Sequence, residues 1–176
     1  MCRQTKLMTP NEQIISDIHT NTDALLQVLL EFPSDQFTRK PSDNAWSAAE
    51  LAEHLLLIER SVTKALAGKA LPTERPYDQK LELLKPAMAD RERKFVVPEL
   101  AKPIAVSHNR QEMIAEIKQQ RQEQTALIPS LEMSETCMDF KHPMMGALTR
   151  YEWVYFNIYH TERHLHQLRE IREVVQ

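Results

Sequence analysis

Glycine and cysteine are scarce in this sequence, and their scarcity excludes several classes of protein. Only two glycines occur among the 176 residues, Gly68 and Gly146. No glycine-rich phosphate-binding loop is therefore present, and long helices are favoured over a fold with many tight turns. The two cysteines, Cys2 and Cys137, form neither a paired metal-binding motif nor a disulfide framework.

The sequence also lacks an excess of charge of one sign and a long apolar run. The net charge is -3 at pH 7, and basic residues are scattered among acidic ones, which argues against a nucleic-acid partner. No apolar run approaches the ~20 residues of a membrane span, and the first residues lack the apolar core of a signal peptide. We therefore expect a soluble cytoplasmic protein without a nucleic-acid or membrane partner.

The overall composition is that of an ordinary globular protein. Hydrophobic residues make up 42% and charged residues 27% of the chain, close to typical values. A chain of this length buries roughly two-thirds of its unfolded surface, so it needs no disulfide or structural metal in order to fold. We expect one domain spanning residues 1–176.

Four long segments show apolar residues at helical spacing, and each begins with a capping signal. These segments are residues 9–32, 46–68, 109–128 and 149–175. A Ser or Thr precedes a Glu by three residues in three of them, which is the capping-box pattern, while the third segment offers Asn109 or Ser107 as its cap. Gly68 is expected to end the second helix.

A long connection joins the second helix to the third. Residues 69–106 contain five prolines and are predicted to hold only a short helix near 78–85, which could extend past Pro86. A connection of this length indicates a crossover between helices that are not antiparallel neighbours. Residues 130–148 form a second loop, and no alternating strand series is present. The prediction is an all-α four-helix bundle with a long crossover between helices 2 and 3.

Three of the seven histidines fall within residues 159–168, "YHTERHLHQL". A helical residue advances by about 100°, so His160 and His164 are neighbours on one face, on the same stripe as Phe156. His166 lies roughly 160° from His164 by the same geometry. We therefore expect the pair to point inward and His166 to lie at the surface.

His54 is a third histidine that is predicted to point inward, from the apolar stripe of the second helix. Burying an imidazole without a partner costs a few kcal/mol, and three imidazoles that meet inside a bundle can offset this cost by binding a metal ion. Neutral imidazole suits zinc, nickel, iron and copper, and three protein ligands leave positions open for water or substrate. The alternative is a structural bundle in which the histidines are hydrogen-bonded core residues.

The remaining histidines and the loop cysteine show no such pattern. His19 is expected at the surface or its boundary, and His108 at a helix start. Cys137 has no neighbouring histidine or acidic motif that would activate a nucleophile, so we do not expect it to act as one.

Two strings resemble the signatures of the DinB/YfiT superfamily. In "NAWSAAELAEHLLLIE" a Trp-Ser pair opens a helix and His54 follows. In "KHPMMGALTRYEWVYFNIYHTERHLHQLREI" a His-Pro pair, a Gly, a Leu-Thr and a Glu-Trp precede the pattern H-x-x-x-H-x-x-Q, on which His160, His164 and Gln167 fall. The resemblance covers most of the chain, apart from residues 69–106.

The resemblance implies a four-helix bundle that binds one divalent metal ion, with zinc, nickel or iron as the expected ions. The implied ligands are His54, His160 and His164. Members of the family include thiol-dependent enzymes, such as bacillithiol S-transferases and mycothiol-dependent maleylpyruvate isomerases, as well as proteins labelled metal-dependent hydrolases. Many members form homodimers, so a homodimer acting on a small molecule is expected.

Three functions remain open on these grounds. The leading hypothesis is an enzyme in which the metal ion lowers the pKa of a low-molecular-weight thiol, whose thiolate attacks an electrophile. A hydrolase would activate water at the same site and would benefit from a general base, for which Glu50 is available, although it is equally explained as a capping-box residue. The third is a non-catalytic metal-binding or stress-response protein.

Two further residues have open roles. Gln167 is expected either to support the histidine pair through a hydrogen bond or to fill the bundle. His142 is expected either to pack its own loop or to approach the open side of the site.

Overall fold

The protein is a bundle of four long helices joined by irregular connections. The structure is a computed structural model that describes residues 8–104 and 109–176. Its helices are α1 (Pro10–Leu30), α2 (Ala48–Ala67), α3 (Leu81–Ala89), α4 (Arg110–Leu127) and α5 (Arg150–Val175). The connections contain two 3-10 helices, Glu99–Ala101 and Ile128–Ser130, and two short strands, β1 (Ala70–Leu71) and β2 (Thr136–Cys137).

The predicted caps begin the four long helices. Thr9, Ser47 and Thr149 each accept a hydrogen bond from the backbone of a Glu three residues later, and that Glu side chain returns the bond to the cap. Asn109 accepts from two backbone amides at the start of α4, whereas Ser107 lies outside the described residues. Each cap contributes about 1 kcal/mol and marks where the helix starts.

Helices α2 and α4 are parallel neighbours, whereas α5 runs antiparallel to α2. Contacts between α2 and α4 advance in the same direction along both helices: Arg60 with Glu116 and Thr63 with Gln120. Contacts between α2 and α5 advance in opposite directions: His54 with His160 and Leu66 with Arg150. Because α2 and α4 run in the same direction, the segment that connects them must cross the full length of the bundle. The predicted bundle with its long crossover is confirmed.

The crossover differs in detail from the sequence-based expectation. Helix α3 starts at Leu81, later than expected, and continues past Pro86 to Ala89. Pro86 removes one backbone donor, but burial of Leu84 and Met88 holds the helix against the bundle. The 3-10 helix Glu99–Ala101 was not predicted, because three residues are too few to show a period.

The short ladder between β1 and β2 was also not predicted. Ala70 pairs with Cys137 and Leu71 with Thr136, in antiparallel register. Strands of two residues cannot show the alternation on which a strand prediction depends. The ladder ties the start of the crossover to the loop that precedes α5.

Gly68 ends α2 as predicted, and its lack of a side chain lets Asp139 approach the end of the helix. Its φ of -77° is accessible to any residue, so no left-handed conformation is required. A Cβ atom at this position would lie 2.6 Å from Oδ2 of Asp139. That oxygen accepts a hydrogen bond from the Lys69 backbone at 2.7 Å, which secures the loop before α5 to the end of α2.

A buried polar network joins the four long helices at their centre. The guanidinium of Arg121 on α4 donates to Glu59 on α2 at 2.6 Å, and to Asn21 on α1 and Thr161 on α5 at 3.0 Å. Arg121 and Glu59 are 3% and 1% exposed. Burial raises the pKa of Glu59, and the charge of Arg121 opposes that rise. Since apolar clusters lie around this network, each helix is held in register by polar as well as apolar contacts.

Candidate metal centre

His54, His160 and His164 converge between α2 and α5. Nε2 of His160 lies 3.3 Å from Nε2 of His54 and 3.1 Å from Nε2 of His164. One ring nitrogen from each histidine falls within 4.8 Å of the others, and the three form a group that could hold a metal ion. The convergence follows from helix geometry, since His160 and His164 are one turn apart and the antiparallel α2 presents His54 to both.

Hydrogen bonds at the far side of two rings decide where their protons lie. Nδ1 of His54 lies 2.6 Å from the carbonyl oxygen of Ala101, and a carbonyl can only accept. Nδ1 of His164 lies 2.9 Å from Oε1 of Gln167, which also accepts. Both rings therefore carry their proton on Nδ1, and both direct an unprotonated Nε2 toward His160.

The cluster has too few protons to satisfy its three central nitrogens. With His54 and His164 unprotonated at Nε2, only His160 can contribute an N–H to the centre, and that hydrogen can serve one neighbour. At least one of the two close contacts therefore has no hydrogen to bridge its nitrogens, which leaves a buried lone pair unsatisfied and is unfavourable. A cation among the three nitrogens would accept all three lone pairs, so the donor set fits a metal ion.

The state of His160 supports the same interpretation. Its Nδ1 is buried and has no hydrogen-bond partner within residues 8–104 and 109–176. If His160 placed its proton on Nε2, this buried Nδ1 would be an unsatisfied acceptor. If it placed its proton on Nδ1, the centre would hold three lone pairs and no hydrogen. Metal binding removes the conflict at the centre, because each of the three Nε2 atoms can then direct its lone pair to the ion.

The environment keeps all three imidazoles neutral. Burial lowers the pKa of His54, although the hydrogen bond to Ala101 opposes this effect. Burial and the neighbouring histidines hold the pKa of His160 well below its usual range. Burial, followed by the charge of His54, lowers the pKa of His164 to about 4. Neutral imidazoles are the form that binds metals, so protons compete weakly for this site at neutral pH.

The crossover covers the histidine cluster. Arg163 on α5 donates to the backbone oxygens of Met88 and Asp90 and, at 2.6 Å, to that of Arg93. Its guanidinium also lies 5.0 Å from the ring centroid of Phe95. These contacts attach the segment after α3 to the helix that carries two of the histidines. The site is consequently shielded from bulk water, with His54, His160 and His164 no more than 9% exposed.

Glu50 does not belong to the cluster. Its Oε2 accepts from the backbone of Ser47 at 2.8 Å, and its Oε1 pairs with Lys40 at 2.9 Å. Burial raises the pKa of Glu50, but hydrogen bonds from Ser47 and Lys40 outweigh burial and leave it lowered. Among the described residues, no carboxylate joins the three histidines in a metal-binding group.

The other histidines and Cys137 lie apart from the centre. His166 and His19 are exposed, as predicted, whereas His108 lies outside the described residues. Cys137 is buried in β2, and burial raises the pKa of its thiol to about 11, which is the opposite of what a nucleophile needs. His142 packs within its own loop, and its ring contacts Phe156 at a centroid distance of 4.7 Å.

Sequence reasoning missed two residues that shape the site. Ala101 acts through its backbone oxygen, which no side-chain pattern reveals. Arg163 lies between two inward histidines in the sequence and looks like a surface residue, because its acceptors are backbone oxygens about seventy residues earlier in the chain. Of the two roles left open for Gln167, the structure shows the hydrogen bond to the histidine pair, through Nδ1 of His164.

The sequence matches one family and one curated relative. A sequence profile described as the DinB superfamily matches residues 17–168. The uncharacterized protein YuaE of Bacillus subtilis is 29% identical over 144 residues, which are 81% of this chain and 86% of YuaE. The three histidines lie within the residues that the family profile matches, and the two motif strings lie almost entirely within them.

Two solved structures share the fold. TT2238, a four-helix bundle protein, superimposes with a TM-score of 0.59 at 20% identity, covering 91% of this chain and 98% of TT2238. YfiT from Bacillus subtilis, described as a probable metal-dependent hydrolase with an unusual four-helix bundle topology, superimposes with a TM-score of 0.60 at 15% identity, covering 98% of this chain and 92% of YfiT. At these identities the likeness establishes the fold alone.

Proposed function

The chain belongs to the DinB superfamily, and from that membership and the histidine cluster we propose that it binds one divalent metal ion through His54, His160 and His164. We further propose that this ion serves thiol-dependent S-transfer on a small-molecule substrate. The observation that carries the proposal is the shortage of protons among three Nε2 atoms that lie 3.1 and 3.3 Å apart. A cation is the group that satisfies three convergent lone pairs in a buried site.

The chain's own residues hold the ligands in the required state. Ala101 and Gln167 each accept the Nδ1 proton of a ligand histidine, which fixes the ring and directs Nε2 inward. The crossover, attached through Arg163, limits the access of water. When bound, a divalent ion would lower the pKa of a coordinated thiol or water molecule and so supply a nucleophile near neutral pH.

The case for thiol transfer over hydrolysis is that, among the described residues, no carboxylate joins the three histidines as a general base. A thiol whose pKa has been lowered is already a strong nucleophile and needs no protein group to remove its proton. Hydrolysis benefits from a positioned general base, yet Glu50 is engaged by Ser47 and Lys40. Hydrolysis stays the second candidate, because the description of YfiT as a probable metal-dependent hydrolase concerns a protein of the same fold. A non-catalytic metal-binding protein is the third.

Several attributes of the proposed enzyme are expectations from the sequence and its resemblance to the family. They are a single domain over residues 1–176, a homodimeric assembly, a cytoplasmic location and zinc, nickel or iron as the ion. Within the described residues, no helix is long and apolar enough to cross a membrane.

The first test is the metal content of protein purified without an affinity tag. We expect about one equivalent of a divalent metal in the parent by elemental analysis, and little in His54→Ala and His160→Ala, because two imidazoles bind far more weakly than three. His166→Ala is the matched control, since His166 is exposed on the same helix and its loss should leave the metal content unchanged.

The outcome distinguishes the proposed functions from a structural bundle. Metal that is lost in both cluster variants and kept in His166→Ala justifies assays of thiol transfer and of hydrolysis. A parent that takes up no metal after incubation with zinc or nickel would overturn the metal-dependent proposal and both reactions with it.

A further inference from the structure

His142 has one ring nitrogen that is fully engaged and one that is not. Its Nδ1 lies 3.2 Å from the backbone nitrogens of both Met144 and Met145. A backbone N–H can only donate, so Nδ1 is the unprotonated nitrogen. The proton of the neutral ring therefore resides on Nε2, which makes Nε2 a donor.

The loop that carries His142 fixes the orientation of its ring. The backbone groups of His142 and Gly146 exchange two hydrogen bonds of 2.8 Å, and Gly146 adopts a φ of +67°, which favours glycine. The ammonium of Lys80 donates to the carbonyl oxygens of Met145 and Ala147 at 2.5 and 2.6 Å. The direction of the Nε2–H bond is therefore set by the fold before any ligand arrives.

No acceptor among the described residues bonds to this donor. In residues 8–104 and 109–176, Nε2 of His142 has no hydrogen-bond partner, although the side chain is only 7% exposed. Nε2 itself is not among the fully buried polar atoms that lack a partner, so this nitrogen lies at the accessible edge of the side chain. A donor that is accessible and whose direction is fixed by its loop is suited to bind an acceptor on a ligand.

The ring of Phe156 lies between the ring of His142 and the metal centre. It lies 4.7 Å from the ring of Phe156, which in turn lies 5.5 Å from the ring of His160. Trp153, Phe156, His160 and His164 form one stripe along α5 and are each 7–9% exposed, whereas Val154 and Thr161 on other faces of the helix are 0% exposed. The small exposed fractions of these four side chains therefore lie on one face of α5, and His142 packs against Trp153 and Phe156 on that face.

We propose that the Nε2–H of His142 binds a carbonyl or carboxylate oxygen of the substrate whose other end reaches the metal ion. This inference rests on the proposed function and adds to it the chemical class of the substrate, a small molecule with an oxygen acceptor on the far side of Phe156. Burial, followed by the charge of Lys80, lowers the pKa of His142 to about 4. The ring is therefore neutral at pH 7 and binds the oxygen as a donor without carrying a charge.

Two variants separate this role from a role in loop packing. In His142→Asn, the side-chain oxygen takes the place of Nδ1 and can accept from the two loop amides, but the donor at Nε2 is lost. In His142→Gln, the amide nitrogen takes the place of Nε2, but the acceptor for the loop is lost. A structural role predicts that the Gln variant is the more damaged, whereas substrate binding predicts that the Asn variant is.

The first measurement uses cobalt(II)-loaded protein and simple thiols as probes. We would titrate mercaptocarboxylates from 3-mercaptopropionate to 6-mercaptohexanoate, each against the mercaptoalcohol of the same length, and follow the thiolate-to-cobalt absorption band. At the length that spans Phe156, we expect the parent and His142→Gln to prefer the carboxylate. His142→Asn should lose about tenfold or more of this preference, since a hydrogen bond to a charged group is lost. Its affinity for the mercaptoalcohols should change much less, because a hydroxyl oxygen is a neutral and weaker acceptor.

These results test the role of His142 separately from the binding of thiols. A thiolate band with no carboxylate preference in the parent, or with the full preference retained in His142→Asn, overturns the role of His142 and leaves thiol binding intact. Absence of the band with every thiol overturns the thiol proposal instead.

A second measurement decides the role of His142 without any thiol. In protein labelled with nitrogen-15 histidine, the metal-free state should show His142 protonated at Nε2 and unprotonated at Nδ1. In zinc-loaded protein, the Nε2–H signal, identified by its absence from His142→Asn, should move downfield on titration with succinate, glutarate or adipate. No movement with any of these dicarboxylates overturns the inference, whichever reaction the metal centre catalyses.

Discussion

At the scale of single residues, the metal centre depends on groups that contact the ligands without binding the ion. Gln167 accepts the Nδ1 proton of His164 at 2.9 Å, and the carbonyl of Ala101 does the same for His54 at 2.6 Å. These acceptors choose the tautomer that leaves Nε2 free and raise the basicity of the ring. His160 lacks such an acceptor among the described residues. Hydrogen bonds to Nδ1 therefore fix the ring orientation of His54 and His164 but not that of His160.

Replacing Gln167 with leucine should weaken metal binding without removing it. The variant keeps the volume but leaves the Nδ1 proton of His164 without an acceptor, and loss of such a partner typically costs 10- to 100-fold in affinity. Competition with a chromogenic chelator would measure the change. Glu170→Gln, on the exposed side of the same helix, is the control, and equal affinities in the two variants would contradict the assigned role of Gln167.

At the scale of the elements, the same capping motif has different consequences at different helices. The box at α1 places Glu12 at an exposed position. The box at α5 places Glu152 at 0% exposure, where its carboxylate also accepts two bonds of 2.6 Å from Arg75 and one of 2.8 Å from the backbone of Lys80. The cap of α5 therefore also anchors the crossover.

Glu152→Ala should be much more destabilising than Glu12→Ala. Loss of Glu12 removes part of an exposed cap, worth about 1 kcal/mol. Loss of Glu152 leaves the guanidinium of Arg75 and two backbone donors without their acceptor, and breaking such a buried pair costs about 3 kcal/mol or more. Urea unfolding followed by circular dichroism would give both values. Similar losses in the two variants would mean that the crossover is held by other contacts.

The difference between these two caps was not visible in the sequence. Thr9–Glu12 and Thr149–Glu152 read alike, and both were correctly predicted to start helices, because a cap is a contact between residues three apart. The second role of Glu152 depends on Arg75, which is 77 residues away. Sequence spacing cannot report a partner at that separation.

At the scale of the whole molecule, the network around Arg121 links α1, α2, α4 and α5. It places an ion pair in the centre of the bundle and adds hydrogen bonds to Asn21 and Thr161 at 3.0 Å. Buried pairs of this kind contribute less to net stability than to the choice of one arrangement over others. We therefore expect the network to specify how α2 and α4 align as parallel neighbours.

Arg121→Met alone should be more harmful than the double variant Arg121→Met with Glu59→Leu. The single change leaves the Glu59 carboxylate buried without its counter-ion, which costs about 3–5 kcal/mol, whereas the double change replaces the pair with apolar groups and avoids that cost. Urea unfolding midpoints would rank the two proteins. A double variant that is less stable than the single one would show that the ion pair is itself strongly stabilising.

The sequence by itself determined the features that depend on residues close together in the chain. The four long helices, their caps and the shared face of His160 and His164 follow from contacts three or four residues apart. The tertiary structure decided the rest: the meeting of His54 with His160, 106 residues away, the carbonyl of Ala101 that sets a ligand's tautomer, and the free donor on His142. Those features depend on which surfaces pack together, and packing is decided by the summed burial of the whole chain rather than by any local pattern.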